Sequence, residues 1–288
     1  MAFLTSIRDI IPRVTDLFSP SSPSPQDPFN PTYADICRTR ILLKSLHLPT
    51  ELVLSILEFA EYWPRILFST TYTAEHPRPI IASATGGRDA AAALCLRADI
   101  FDAPVVTDMC ASGENPKIKK VEFIIRSRDQ GWTSQGGEGG FATSSWIEVS
   151  ILRRNPHDST NFEPPRFEPP HNMGNGVWDD GLRGYHAQVA RYGWQLVQRP
   201  GEAHHGPQWG EGGYAWYLQG NRVSGDSETY RVVWGREGSV ETNEGAGDGQ
   251  GFLEELRKGD RIVVWARARY PGWQCIVEQL DVTVYVGF

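Results

Sequence analysis

Three things are missing from this chain of 288 residues: a Cys-x-x-Cys pair, a cluster of Lys and Arg, and an apolar run of membrane-spanning length. Each absence removes a class of function. Cys37, Cys95, Cys110 and Cys275 are scattered, with no His at zinc spacing, so neither a structural metal site nor a disulfide framework is expected. So few thiols in so long a chain suit the cytosol or the nucleus. A net charge of −7 argues against nucleic acid, because counterion release requires clustered cations. The nearest approach, Lys117, Lys119 and Lys120, reads as the solvated start of a strand. A membrane span needs about 20 apolar residues, and no run approaches that, so none is expected. Arg8, Asp9, Arg13 and Asp16 interrupt the first apolar stretch, which is therefore not read as a secretory signal.

Catalytic arrangements are missing too. No Gly-x-Ser-x-Gly and no Cys/His nucleophile pattern occurs, and no cofactor-binding motif, so no cofactor and no enzymatic activity are expected. His204-His205 near Glu202 lies in a Gly/Pro-rich stretch that cannot pre-organise acid–base chemistry. The run Gly245-x-Gly247-x-Gly249-x-Gly251 has only the short Phe252–Leu256 segment after it. A phosphate cradle needs a longer helix there, so the run reads as a flexible loop.

What is abundant is glycine, proline and tryptophan: 29, 20 and 10 residues. That mix favours short strands joined by turns over a helical bundle. One phrase occurs twice: Arg126-Ser-Arg128-Asp-Gln-Gly131-Trp132 and Arg267-Ala-Arg269-Tyr-Pro-Gly272-Trp273. Each copy follows an apolar run, Val121 to Ile125 and Ile262 to Ala266, so each is a strand running into a glycine turn that carries a Trp. Strands are predicted at 119–126, 145–153, 214–219, 229–234, 261–269 and 275–286, with Ala90 to Ile100 ambiguous and leaning to strand near Leu94. In the last strand Ile276, Leu280, Val282, Val284 and Val286 are expected to share one face. Arg267 and Arg269 are placed on a polar face, with Asp281 of the following strand as a cross-strand partner.

The expected fold is mainly β: a jelly-roll-type antiparallel β-sandwich with a short N-terminal α-helical segment. Three parts are expected: an amphipathic segment and Pro/Ser-rich linker over 1–32, a helical segment over 33–88, and the sandwich over 89–288 with a long irregular insertion at 155–213. Within the insertion, Tyr185–Val197 reads as a strand or a short helix. In the helical segment, Leu52, Ile56 and Phe59 lie on one face with Val53 and Leu57 beside them, and Pro49 sits at the first turn.

The turns of the doubled phrase are the candidate ligand site. Asp129, Gln130 and Trp132 in one, and Tyr270 and Trp273 in the other, combine flat apolar faces with hydrogen-bonding groups, a set suited to a sugar or a peptide. The alternative is that Trp132 and Trp273 plug the two ends of the core.

The helix Leu48-Pro49-Thr50-Glu51-Leu52-Val53-Leu54-Ser55-Ile56-Leu57 resembles the opening of an F-box, the element that docks on the adaptor of SCF ubiquitin ligases. Four downstream stretches, Ser127–Thr133, Trp216–Arg222, Arg231–Trp234 and Gly259–Trp273, resemble a fungal family. In it an F-box-like head, or occasionally ankyrin repeats, precedes a β-sandwich of undefined activity. The architecture is also similar to sugar-binding F-box proteins, whose sandwich loops bind glycans of misfolded glycoproteins. The resemblance implies a non-enzymatic recognition protein. Leu48, Pro49, Leu52, Ile56 and Phe59 would meet an adaptor, and the sandwich loops would hold a protein or glycan ligand for ubiquitination. It departs from a full F-box at Tyr62-Trp63-Pro64, which cuts the helix short, and over Ser69 to Gly87, which lacks an apolar period. A remnant head would instead pack Leu52, Ile56 and Phe59 on its own sandwich, leaving a stand-alone lectin-like or peptide-binding module.

Overall fold

In the computed structural model, alternation along the strands is what divides the chain into two packed sheets. The structure describes residues 29–70, 78–84, 90–133, 137–156, 162–164, 182–201 and 213–288, with 182–184 described by backbone alone. The amphipathic stretch before residue 29, the His204-His205 pair and parts of the insertion lie outside the described residues.

The first sheet has the strand order β1-β11-β4-β8-β9, with β2 also paired to β11. Its strands are β1 (Arg65–Thr70), β2 (Ile80–Ser83), β4 (Lys117–Arg128), β8 (Glu228–Gly235), β9 (Gly238–Glu241) and β11 (Gln274–Gly287). The second sheet has the order β3-β10-β5-β6, with β7 also paired to β5. It contains β3 (Ala90–Ala98), β5 (Ser145–Arg154), β6 (Trp194–Leu196), β7 (Trp216–Gly220) and β10 (Arg261–Arg269). Every pairing is antiparallel. The expected jelly-roll-type sandwich with a short helical segment ahead of it is the fold adopted.

Between the sheets lies one apolar core. Val121, Phe123 and Ile125 of β4 and Leu280, Val282 and Val284 of β11 meet Ile147, Val149 and Ile151 of β5 and Ile262, Val264 and Ala266 of β10. The period of two along each strand produces this directly. The outer faces of the two sheets differ. On the first sheet the outer face is polar, and Glu122 accepts from Arg231 Nε at 2.6 Å and Tyr285 Oη at 2.7 Å.

The outer face of the second sheet is covered. Helix α4 (Leu182–Ala190) and β6, both from the expected insertion, bury Tyr185, Val189, Trp194 and Leu196 against Leu152, Val263 and Trp265. The ambiguous Tyr185–Val197 stretch is thus a helix followed by a strand. β5 and β10 are therefore buried on both faces along nearly their whole length, and the polar Glu148, Ser150 and Arg267 on the covered face are buried with the rest.

Several expectations are corrected here. Among the described residues of 33–88, helix is confined to α1 (Tyr33–Ser45) and α2 (Thr50–Phe59), whereas β1 and β2 are strands of the first sheet. Residues Pro31–Phe288 accordingly form one compact unit. The Ala90–Ala98 stretch is a strand throughout, paired to β10 despite its alanines, because a strand partner outweighs intrinsic helix propensity. A register shift between Val277 and Gln279 of β11 changes the phase of that strand. Cys275 and Val277 therefore join Leu280 in the shared core, and Ile276, expected on that face, does not. The glycine run at 245–251 is packed. A Cβ on Gly247 would stand 1.9 Å from the Tyr217 carbonyl oxygen, and Trp234 Nε1 donates to the Gly247 carbonyl at 3.1 Å.

Candidate functional site

Two surfaces carry the candidate residues. The first is the helical head. A capping box between Thr32 and Asp35 starts α1, and Pro49 stands at the N-cap of α2. Ile36 of α1 with Val53 and Leu57 of α2 forms a small core, against which Leu43, Leu48, Tyr62 and Phe288 pack. The head is then fastened to the sandwich by charge. Lys119 Nζ donates to Glu58 at 2.9 Å and Lys120 Nζ to Glu61 at 2.6 Å, while Arg40 pairs with Glu114 and lies 3.8 Å over the Phe288 ring.

The docked face of α2 is Val53 and Leu57, at 1% and 2% exposure. Leu52, Ile56 and Phe59 point away from it, at 51%, 41% and 90%. Leu48 packs inward and Pro49 is exposed at the helix start. Sequence reasoning missed Leu54, which with Ser55, Glu58 and Phe59 lines a cleft of about 360 Å³. Ile41, Leu42 and Leu46 of α1 and its C-terminal turn are exposed as well. The unbroken Ile41-Leu42-Leu43 run was the available signal, since a helix cannot bury three consecutive positions on one face.

The second surface is the meeting point of the doubled phrase. β4 pairs with the start of β11, so the turn after β4 lies beside the turn that leads into β11. Gln130 joins them: its Oε1 accepts from the Gln274 backbone N–H at 3.1 Å and its Nε2 donates to the Trp132 carbonyl at 2.6 Å. A Cβ on Gly272 would stand 3.8 Å from Cη2 of Trp132, so that indole lies against the second turn.

The five predicted ligand residues separate within this arrangement. Trp132 is 61% exposed and Tyr270 42%. Trp273 is buried with Ala84, Val223 and Ala268, so one Trp is a surface ring and the other a plug. Asp129 is fully buried, and its two carboxylate oxygens accept from the Gly131 and Ser224 backbone N–H groups, each at 2.7 Å. Burial raises the Asp129 pKa above the ordinary carboxyl value, against the opposing pull of those two donors and the Arg128 charge. Asp129 and Trp273 thus build the site, while Trp132 and Tyr270 with the edge of Gln130 face solvent. Tyr270 holds φ +70°, a left-handed backbone that costs a non-glycine residue about 1–2 kcal/mol. The Arg269 guanidinium lies 5.5 Å from its ring centroid.

The arginines of the two copies do different work. Arg126 and Arg128 pair with Glu278 across β4 and β11, at 3.0 and 3.5 Å. Arg267 pairs with Glu148 of β5 at 3.5 Å, with both side chains buried. The expected partner Asp281 is instead bonded by Ser69 and by Gln279 Nε2. The turn Tyr270–Gly272 carries the chain from the second sheet to the first, so β10 and β11 are not hairpin partners.

Among the described residues no group of three His, Cys, Asp or Glu side chains could hold a metal ion, and no helix is long and apolar enough to cross a membrane. Compared with known proteins, the chain matches no family model and no curated protein.

Proposed function

We propose that the chain is a non-enzymatic recognition protein of F-box-like organisation. The outward face of α2 docks on a ubiquitin-ligase adaptor, and the Trp132–Tyr270 end of the sandwich holds a protein or glycan ligand. One observation carries this reading: α2 spends Val53 and Leu57 on its own fold and leaves Leu52, Ile56 and Phe59 uncovered. Clustered apolar side chains exposed at that level mark interaction surfaces. The resemblance of Leu48–Leu57 to an F-box opening names the adaptor as the partner, and the ion pairs from Lys119 and Lys120 hold the two surfaces in one body.

The test is co-purification of the full chain with an SCF adaptor, which Leu52→Asp and Ile56→Asp should abolish without changing the melting temperature. Recovery of no adaptor from cells would sink the proposal.

A second reading, a stand-alone lectin-like or peptide-binding module, is favoured by the exposed Trp132 ring, which needs nothing from the head. It expects glycan- or peptide-array binding that is lost in Trp132→Ala and untouched by Leu52→Asp.

A further inference from the structure

Most Lys and Arg side chains among the described residues are engaged in ion pairs, hydrogen bonds or ring contacts. Lys117, Arg236 and Lys258 are not, and all three line one cleft of about 500 Å³. They arrive from separate segments. Lys117 opens β4, Arg236 sits in the turn between β8 and β9, and Lys258 precedes β10. The cleft lies at the Arg261 end of β10, roughly 27 Å along that strand from the Trp132–Tyr270 turns at ~3.4 Å per residue. Its floor is apolar: Leu253 of α5 (Phe252–Glu255) is buried there, with Leu256, Ile118 and Phe101 half-buried around it. Among the described lining residues Glu254 is the one carboxylate, against three cations.

A neighbouring cleft, whose described lining holds five cations with Asp260 and Glu163, differs in that two of its arginines are engaged: Arg153 is bidentate to Asp260 and Arg261 to Glu163, so those two forks are already filled. Lys258 lines both clefts and is engaged in neither. Three cations without side-chain partners, set against one carboxylate around an apolar floor, complement an anion attached to something hydrophobic.

We infer that this cleft is a docking site for an acidic peptide segment of a partner protein. Its carboxylates pair with Lys117, Arg236 and Lys258, and an apolar side chain of the segment rests on Leu253 and Leu256. The site is separate from both surfaces of the proposed function, so either can fail without the other.

The test uses the full chain and a labelled peptide of four glutamates flanking one leucine, followed by fluorescence polarisation. Binding should be measurable at low salt and weaken about tenfold or more as exposed charges are screened. Each of Lys117→Glu, Arg236→Glu and Lys258→Glu should weaken it roughly fivefold. Lys44→Glu and Arg191→Glu, at cations equally without partners elsewhere, should leave it unchanged. Leucine replaced by glutamine in the peptide should also weaken binding. No binding at low salt, or equal losses in the two control variants, would overturn the inference. So would equal affinity for the glutamine peptide, which would indicate a bare anion site. A concentration-dependent dimer of the free chain that Arg236→Glu dissolves would assign the cleft to a second copy instead.

Discussion

Arg267 Nε lies 3.5 Å from the Glu148 carboxylate with both side chains 2% exposed, on the face of the second sheet turned away from the shared core. Trp146 Nε1 donates to the other Glu148 oxygen at 2.9 Å, and the Arg267 guanidinium lies 5.9 Å from the Trp146 ring centroid. The covered face of this sheet therefore holds charge as well as an apolar cluster.

Removing one partner of this pair strands the other charge in the interior. Glu148→Leu or Arg267→Met alone should cost about 3–5 kcal/mol of unfolding free energy. The double variant should cost distinctly less than the sum of the singles. Urea denaturation of the four proteins of that cycle measures it, and additive losses would show that the two side chains are not coupled.

The two Trp residues of the doubled phrase should separate in the same kind of experiment. Trp273→Ala empties a buried site and should cost about 3–5 kcal/mol. Trp132→Ala removes an exposed ring and should stay within about 0.5 kcal/mol of wild type. Equal losses would mean that both rings are structural.

Helix α2 should divide in stability as it does in exposure. Leu57→Ala should cost about 2–5 kcal/mol where the head docks on the sandwich, whereas Leu52→Ala should be near neutral. Thermal melts of the two variants check this, and a strongly destabilised Leu52→Ala would return that residue to the core.

His186 gives the chain an acid-sensitive point. Burial lowers its pKa below the ordinary imidazole value, its Nδ1 accepts from the Leu196 N–H at 3.2 Å, and its ring stacks on Tyr214 at 4.4 Å. A base whose pKa is lowered by folding contributes stability above its unfolded value, and that stability is lost as pH falls through the window below it. The melting temperature should therefore fall between pH 7.5 and pH 5.5 by more in wild type than in His186→Gln. Parallel curves would remove His186 from the account.

How much of this was legible in the sequence depends on how local each cause is. The six strands placed from apolar runs and turn residues occur where expected, because period-two alternation and glycine turns are properties of neighbouring residues. The missed elements lack that signature. β1 and β2 are short edge-pairing segments stabilised by β11, and helix α3 (Pro104–Ala111) is placed by Val106 and Met109 entering the shared core. At the candidate site the sequence supplied the two Gly-Trp turns, but not that Gln130 bridges them or that Asp129 is buried by the Ser224 loop 95 residues away.

The doubled Arg-x-Arg-x-x-Gly-Trp phrase shows the boundary. The sequence alone determined two strands entering glycine turns, and Gly131 and Gly272 do adopt positive φ, at 84° and 94°. Only the tertiary structure decided that the turns adjoin, that Trp273 is buried while Trp132 is exposed, and that Arg267 meets Glu148 while Arg126 meets Glu278. Alternation assigns a side chain to one of two faces. Which face is covered, and by what, is fixed by elements distant in the chain, here α4 and β6 laid over the second sheet.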